Sequence, residues 1–140
     1  MYITLEADYA VRITAELCKA EGKLDAKTLS EKTCVTLRFS LKILRKLVAA
    51  GLVKSFKGTQ GGYMIDKDPA DITLRMVIEA IEGTYCFSRC LQPDTECSRG
   101  ASGNCPFQDA FSEITDMVSK KLDSYNFAQL NNTRKETNGK

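Results

Sequence analysis

From Thr33 to Ile65 the chain reads TCVTLRFSLKILRKLVAAGLVKSFKGTQGGYMI, and its hydrophobic period changes once, across a single glycine. Before Gly51 the apolar residues recur at spacings of three and four, as on an amphipathic helix. After it come two short runs of strand composition, LVKSF and YMI, separated by KGTQGG. Glycine just past a helix end and glycines at a hairpin tip are both what the backbone asks for there. This order, a helix feeding directly into a small glycine-tipped hairpin, leaves few folds open.

The residues upstream narrow the choice further. A first helix is expected from about Leu5 to Ala20, with Tyr9, Ile13 and Leu17 on one side and no Pro or Gly within it. Asp25 is placed to cap a short helix, AKTLSEK, which TCVT interrupts, and Thr36 is placed to cap the next. Two short helices joined by a tight turn make a helix-turn-helix, and the hairpin that follows makes it winged.

The helix after Thr36 sorts its residues by chemistry. On a wheel of about 100° per residue, Leu37, Leu41, Leu44 and Val48 fall in one arc, which is expected to face the core. Arg38, Lys42 and Arg45 fall opposite, with Phe39 and Lys46 at the edge. From Lys32 to Ile65 there are seven basic residues and no acidic one. Residues 1–68 hold twelve Lys and Arg against eight Asp and Glu, whereas residues 69–140 hold eight against ten. One locally basic surface on a nearly neutral chain points to a polyanion partner, and Arg suits guanine edges or phosphates. A solvated face would account for one or two lysines but less readily for this stripe.

Downstream, DKDPAD forms a linker, Thr73 caps LRMVIEAIEG, and Pro106 opens a long helix, FQDAFSEITDMVSKKLDSY. Its Phe107, Phe111, Ile114, Val118 and Leu122 share a face that wants a partner, and a second copy of the chain is the expected one. The expected organisation is therefore residues 1–68 as the winged helix-turn-helix. Residues 69–130 follow as cysteine loop and dimerisation helices in one compact unit with it, and residues 131–140 as a flexible tail. The fold class is mainly α.

Between the last two helices lies CFSRCLQPDTECSRGASGNC, with Cys86, Cys90, Cys97 and Cys105, in a chain that has six cysteines and no histidine. The N-terminus carries Glu6 and Asp8 where a secretory signal has an apolar core, so a cytoplasmic location is expected. That compartment disfavours structural disulfides. Zinc sites usually show C-x2-C knuckles, absent here. Unligated redox thiols, with Arg89 and Arg99 depressing their pKa values, and an iron–sulfur cluster both remain open. Cys18 and Cys34 read as structural. Without His, and without a Ser/Asp/Lys constellation, the chain is not expected to be an enzyme or to take a small-molecule substrate. No apolar run approaches the roughly 18–20 residues of a membrane span.

Taken in order, LKILRKLVAAGLVKSFKGTQGGYMI and CSRGASGNCPFQDAF resemble the bacterial winged-helix regulators that include the iron–sulfur cluster regulator (IscR), the nitric-oxide-sensing repressor (NsrR) and the cysteine-metabolism repressor (CymR). The resemblance covers about residues 1–130. It implies a homodimeric transcription regulator, expected to be a repressor, on a palindromic double-stranded DNA operator. By position it implies groove contacts for Thr36, Arg38, Phe39 and Lys42, phosphate contacts for Arg45 and Lys46, and wing contacts for Lys57, Thr59 and Gln60. It also implies a 2Fe–2S or 4Fe–4S cluster on Cys90, Cys97 and Cys105, at intervals of six and seven residues that are longer than in the best-known members. Asp8 from the partner subunit matches the fourth ligand of the nitric-oxide-sensing members, and Cys86 is the other candidate. Such a cluster would sense redox state, nitric oxide or iron–sulfur status. A cluster-free regulator that senses through thiols or a protein partner is the alternative, and an iron–sulfur electron carrier is the alternative of another class.

Overall fold

The computed structural model describes the backbone of residues 2–137 and side-chain surroundings as far as residue 133. The elements are α1 (Leu5–Lys19), α2 (Ala26–Thr33), α3 (Leu37–Ala49), β1 (Val53–Phe56), β2 (Gly62–Ile65), α4 (Leu74–Glu82), α5 (Pro106–Asp123) and α6 (Phe127–Thr137). The chain is thus mainly helical with a two-stranded antiparallel wing, as its sequence implies. No helix among the described residues is long and apolar enough to cross a membrane.

Local chemistry sets the helix boundaries. Asp25 accepts a hydrogen bond from the Thr28 amide at 2.7 Å and opens α2. Thr36 does the same for α3 through the Phe39 amide at 3.3 Å, and Thr73 for α4 through Met76 at 3.2 Å. Each side chain satisfies an amide that has no partner inside its own helix. Helix α2 closes on Cys34, which adopts φ +58°, a left-handed conformation more natural to glycine. Gly51, at φ +78°, closes the turn after α3.

The core gathers Ile13 and Leu17 of α1, Leu29 of α2, and Ile43, Leu44 and Leu47 of α3 around Val53, Ile72, Val77 and Phe127. Here one sequence expectation is corrected. Leu37 and Leu41 do not face the core; they are 47% and 39% exposed, and the buried side of α3 is Ser40, Ile43, Leu44 and Leu47. The rotation buries Ile43 and Leu47 beside Leu44 and carries the small Ser40 inward with them. The Ser40 hydroxyl donates to the Val35 carbonyl at 3.4 Å, so burying it leaves nothing unpaired.

The wing pairs Val53 with Ile65 and Phe56 with Gly62. It is also fastened to the α1–α2 connection, where Leu24 and Tyr63 exchange backbone hydrogen bonds at 2.9 and 2.8 Å. At the tip, a Cβ on Gly61 would run into the Phe56 carbonyl oxygen and lie 2.9 Å from that of Gly58, so only glycine closes this turn.

Helix α4 packs chiefly on α1, which places the C-terminal half directly against the helix-turn-helix. Arg75 of α4 reaches Asp123 at the end of α5 at 2.9 Å. The chain then returns. The Phe127 amide donates to Ile72 O at 3.0 Å, and Asn131 Nδ2 donates to Ala15 O on α1 at 3.3 Å. These contacts carry α6 as helix through Thr137, into the segment expected as a flexible tail from residue 131. Residues 138–140 of that segment lie outside the described residues.

Candidate nucleic-acid interface and thiol pocket

Rotating α3 puts its exposed arc under Arg38. Leu37, Arg38, Phe39, Leu41, Lys42 and Arg45 all line one shallow depression on this face. Thr36 sits at its edge, its oxygen engaged by the Phe39 amide. The Phe39 ring is braced edge-on against Tyr9 of α1, with centroids 6.1 Å apart. Arg38 and Arg45 make no ion pair among the described residues, and Lys57, Thr59 and Gln60 stand exposed at the wing tip. The wing's Lys54 is tied to Asp66 at 3.0 Å.

Sequence reasoning missed a countercharge. Glu6 of α1 places Oε1 2.9 Å from Lys46 Nζ and 3.7 Å from Lys42 Nζ. The Lys46 ammonium, with Lys42 adding to it, holds the Glu6 carboxyl below its ordinary value against the opposing effect of burial. The contact is one of charge rather than an aligned hydrogen bond, and Oε1 has no other partner. Two of the cations expected to meet DNA are thus engaged by an acid thirty-six or more positions earlier, which no helix-wheel argument can reach.

The four loop cysteines separate into two sites. Cys90, Cys97 and Cys105 line one small cavity of about 200 Å³, walled by Ala101, Phe107 and Phe111. Cys86 lines a different groove with Tyr2, Ile78 and Val118, and its thiol donates to the Leu91 carbonyl at 3.6 Å. Cys105 is the N-cap of α5 but makes no capping bond, so its sulfur is left for another role at the positive end of the helix. Backbone amides of Ala101 and Arg99 lower the Cys97 thiol pKa, and the Arg99 charge adds to the effect. Burial pushes Cys18 up to about 11, which fits an inert core thiol.

Gln108, also missed by sequence reasoning, fixes the loop. Its Oε1 accepts from the Gly103 amide at 3.1 Å and its Nε2 donates to Cys90 O at 3.4 Å. A Gln in the first turn of α5, able to reach back to the preceding loop backbone, was the available signal. On the far side, the Phe87 amide donates to Thr115 Oγ1 at 3.0 Å, and the Phe87 ring packs on Phe111 with centroids 5.5 Å apart. The loop is therefore mounted on α5 at both ends.

Among the described residues, no three His, Cys, Asp or Glu side chains converge on a point that would hold a single ion. A zinc ion holds each sulfur at about 2.3 Å, so its ligands must crowd together. An iron–sulfur cluster is a larger body than a single ion, so the thiolates that hold it can stand farther apart. Three thiols on the wall of one apolar cavity fit the second arrangement. Asp8 does not line this cavity in its own chain; it is half-exposed on α1 and paired with Arg12 at 2.9 Å.

Comparison with known proteins places the chain among transcription regulators of the same fold. The Rrf2 family model, described as an iron-dependent transcriptional regulator, matches residues 3–133. The regulator IscR of Serratia proteamaculans is 27% identical over 136 residues, covering 96% of this chain and 81% of that one. The Bacillus subtilis protein YwgB, an HTH-type regulator by name, is 34% identical over 121 residues, covering 84% and 75%. Among solved structures, CymR of B. subtilis, titled the global cysteine regulator, superposes with a TM-score of 0.73 at 26% identity, covering 95% and 98%. T. potens IscR, at a TM-score of 0.77 and 22% identity, covers 98% of this chain and 90% of its own and shares the fold.

Proposed function

The chain belongs to the Rrf2 family and is a DNA-binding transcription regulator rather than an enzyme; from that premise we propose that it is a homodimeric repressor whose loop holds an iron–sulfur cluster. Cys90, Cys97 and Cys105 would hold the cluster. The observation that carries this assignment is their shared cavity, from which Cys86 is excluded. Asp8 of a second subunit is the preferred fourth ligand on the precedent of the nitric-oxide-sensing members, since Cys86 lines another groove; Asp8 would exchange its Arg12 partner for the cluster. When bound, the cluster supplies redox- and nitric-oxide-sensitive chemistry. The protein's own part is to keep the thiols in place through Gln108 and to connect them to α5 through Phe87 and Phe111.

DNA is read by α3 and the wing. Arg38 and Lys42, with Thr36 and Phe39, enter the major groove of a palindromic operator; Arg45 and Lys46 meet phosphates; Lys57, Thr59 and Gln60 reach the neighbouring minor groove. Arg38, Phe39, Lys42 and Arg45 share one exposed face of α3 and Lys57, Thr59 and Gln60 stand exposed on the wing, which supports the reading. Replacing Arg38 by Ala should cost roughly 1–3 kcal/mol of operator affinity and relax base preference. Unchanged binding in a fluorescence anisotropy titration would remove Arg38 from the reading set.

The cluster is tested by anaerobic purification. Coloured protein with bound iron and sulfide, lost in Cys90→Ala, Cys97→Ala and Cys105→Ala but kept in Cys86→Ala, is the expected result. Protein that stays colourless after reconstitution overturns it and leaves a second reading, in which the loop senses through free thiols. The lowered pKa of Cys97 favours that second reading.

A further inference from the structure

Two leucines and a phenylalanine on the most basic face of the molecule need a reason to be there. Leu37, Phe39 and Leu41 are each 39% to 47% exposed, and they share their depression with Arg38, Lys42 and Arg45. Exposed apolar side chains gathered on one patch usually mark a contact surface. The cations flanking this one make a polyanion the complementary occupant. In the major groove of B-DNA the sizeable apolar group on offer is the C5-methyl of thymine, while guanine offers the acceptors that Arg reads.

Spacing fits the same occupant. Leu37 and Leu41 lie four residues apart, about 6 Å of helix rise, close to two base steps of about 3.4 Å when the helix follows the groove. Along the axis Arg38 falls between the two leucines, on the neighbouring side of α3 that also carries Lys42. We propose that Leu37 and Leu41 read thymine methyl groups, so that α3 recognises a half-site in which thymines neighbour the guanine met by Arg38, while Arg45 stays on the phosphates. This rests on the reading of α3 as the DNA-contacting helix. It goes beyond that reading by naming the base chemistry and the residues that select it.

The test uses the full chain and a duplex enriched from a random pool by binding to it. Thymines in the enriched half-site are replaced by deoxyuridine, which removes the methyl and leaves every donor and acceptor in place. Affinity should fall by about fourfold for each contacted methyl. In Leu37→Ala and Leu41→Ala the drop at the corresponding position should vanish, because the group that meets the methyl is gone. Both leucines are exposed, so thermal melting should show the variants folded. Equal wild-type affinity for the thymine and deoxyuridine duplexes overturns the proposal, as does an equal drop in wild type and both variants. A chain that enriches no duplex at all fails the DNA-contact reading instead, and is told apart by that outcome.

Discussion

Individual thiols in this chain sit in opposite environments, and their reactivity should follow. The thiolate is the nucleophile, so a thiol with a lowered pKa stays reactive at lower pH and one with a raised pKa does not. Backbone amides and Arg99 lower Cys97, whereas burial raises Cys18 to about 11. In cluster-free protein, iodoacetamide near neutral pH should therefore label Cys97 well before Cys18, as peptide mapping over time would show. Comparable rates at the two sites would contradict the environments described. Cys34 makes a different point. Its left-handed φ of +58° costs a non-glycine residue roughly 1–2 kcal/mol, part of which a glycine forfeits through its freer unfolded chain. Cys34→Gly should be neutral or stabilising by up to about 1 kcal/mol in a denaturant melt. A clear loss would assign the Cys34 side chain a role that its exposure does not suggest.

At the scale of elements, α3 is held to α1 by charge as well as by packing. Glu6 engages Lys46 and Lys42, and its depressed carboxyl pKa means the attraction is present at neutral pH and lost as pH falls through the folded-state value. Glu6→Gln should release both lysines toward DNA. Binding to non-specific DNA should tighten, and the slope of log affinity against log salt should steepen by up to about 1–2 units. Unaltered slope and affinity would show that Lys42 and Lys46 do not reach DNA. This pair also shows where sequence reading stops. The caps at Asp25, Thr36 and Thr73 were legible because capping is a local contest between a side chain and the next three amides. Glu6 was not, because its partners come from another helix. The rotation of α3 escaped for a related reason: the wheel offers two apolar arcs that share Leu44, and packing against α1, α2, α4 and β1 decides between them. Helix α6 carries little apolar pattern of its own and depends on Phe127 and Asn131 docking at Ile72 and Ala15. The cysteine trio was legible only by resemblance; spacing alone does not distinguish Cys86, which the fold turns toward another groove.

For the molecule as a whole, the unresolved force is the exposed face of α5. Phe107, Ile114 and Met117 are 63%, 36% and 65% exposed, and the N-terminal arm adds Tyr2, Ile3 and Leu5. A monomer seldom leaves so much apolar surface in water. In a two-fold dimer built on this face each residue would be buried twice, so a substitution counts twice. Fully burying a Met side chain is worth about 1.5–3 kcal/mol. About two thirds of that remains to be gained at Met117, so Met117→Glu should weaken the dimer by roughly 2–4 kcal/mol from lost burial, and further from two carboxylates brought together. Sedimentation at micromolar concentration should show wild-type dimer and variant monomer with the same melting behaviour in dilute solution. The variant's operator affinity should fall to that of a single half-site, since the two readers are no longer joined. If Asp8 of a second subunit completes the cluster, the same variant should also lose iron more readily than wild type, although Met117 does not line the thiol cavity. A variant that stays dimeric would move the interface off α5. One that becomes monomeric yet keeps its iron would return the fourth ligand to its own chain, where Cys86 stands next in line.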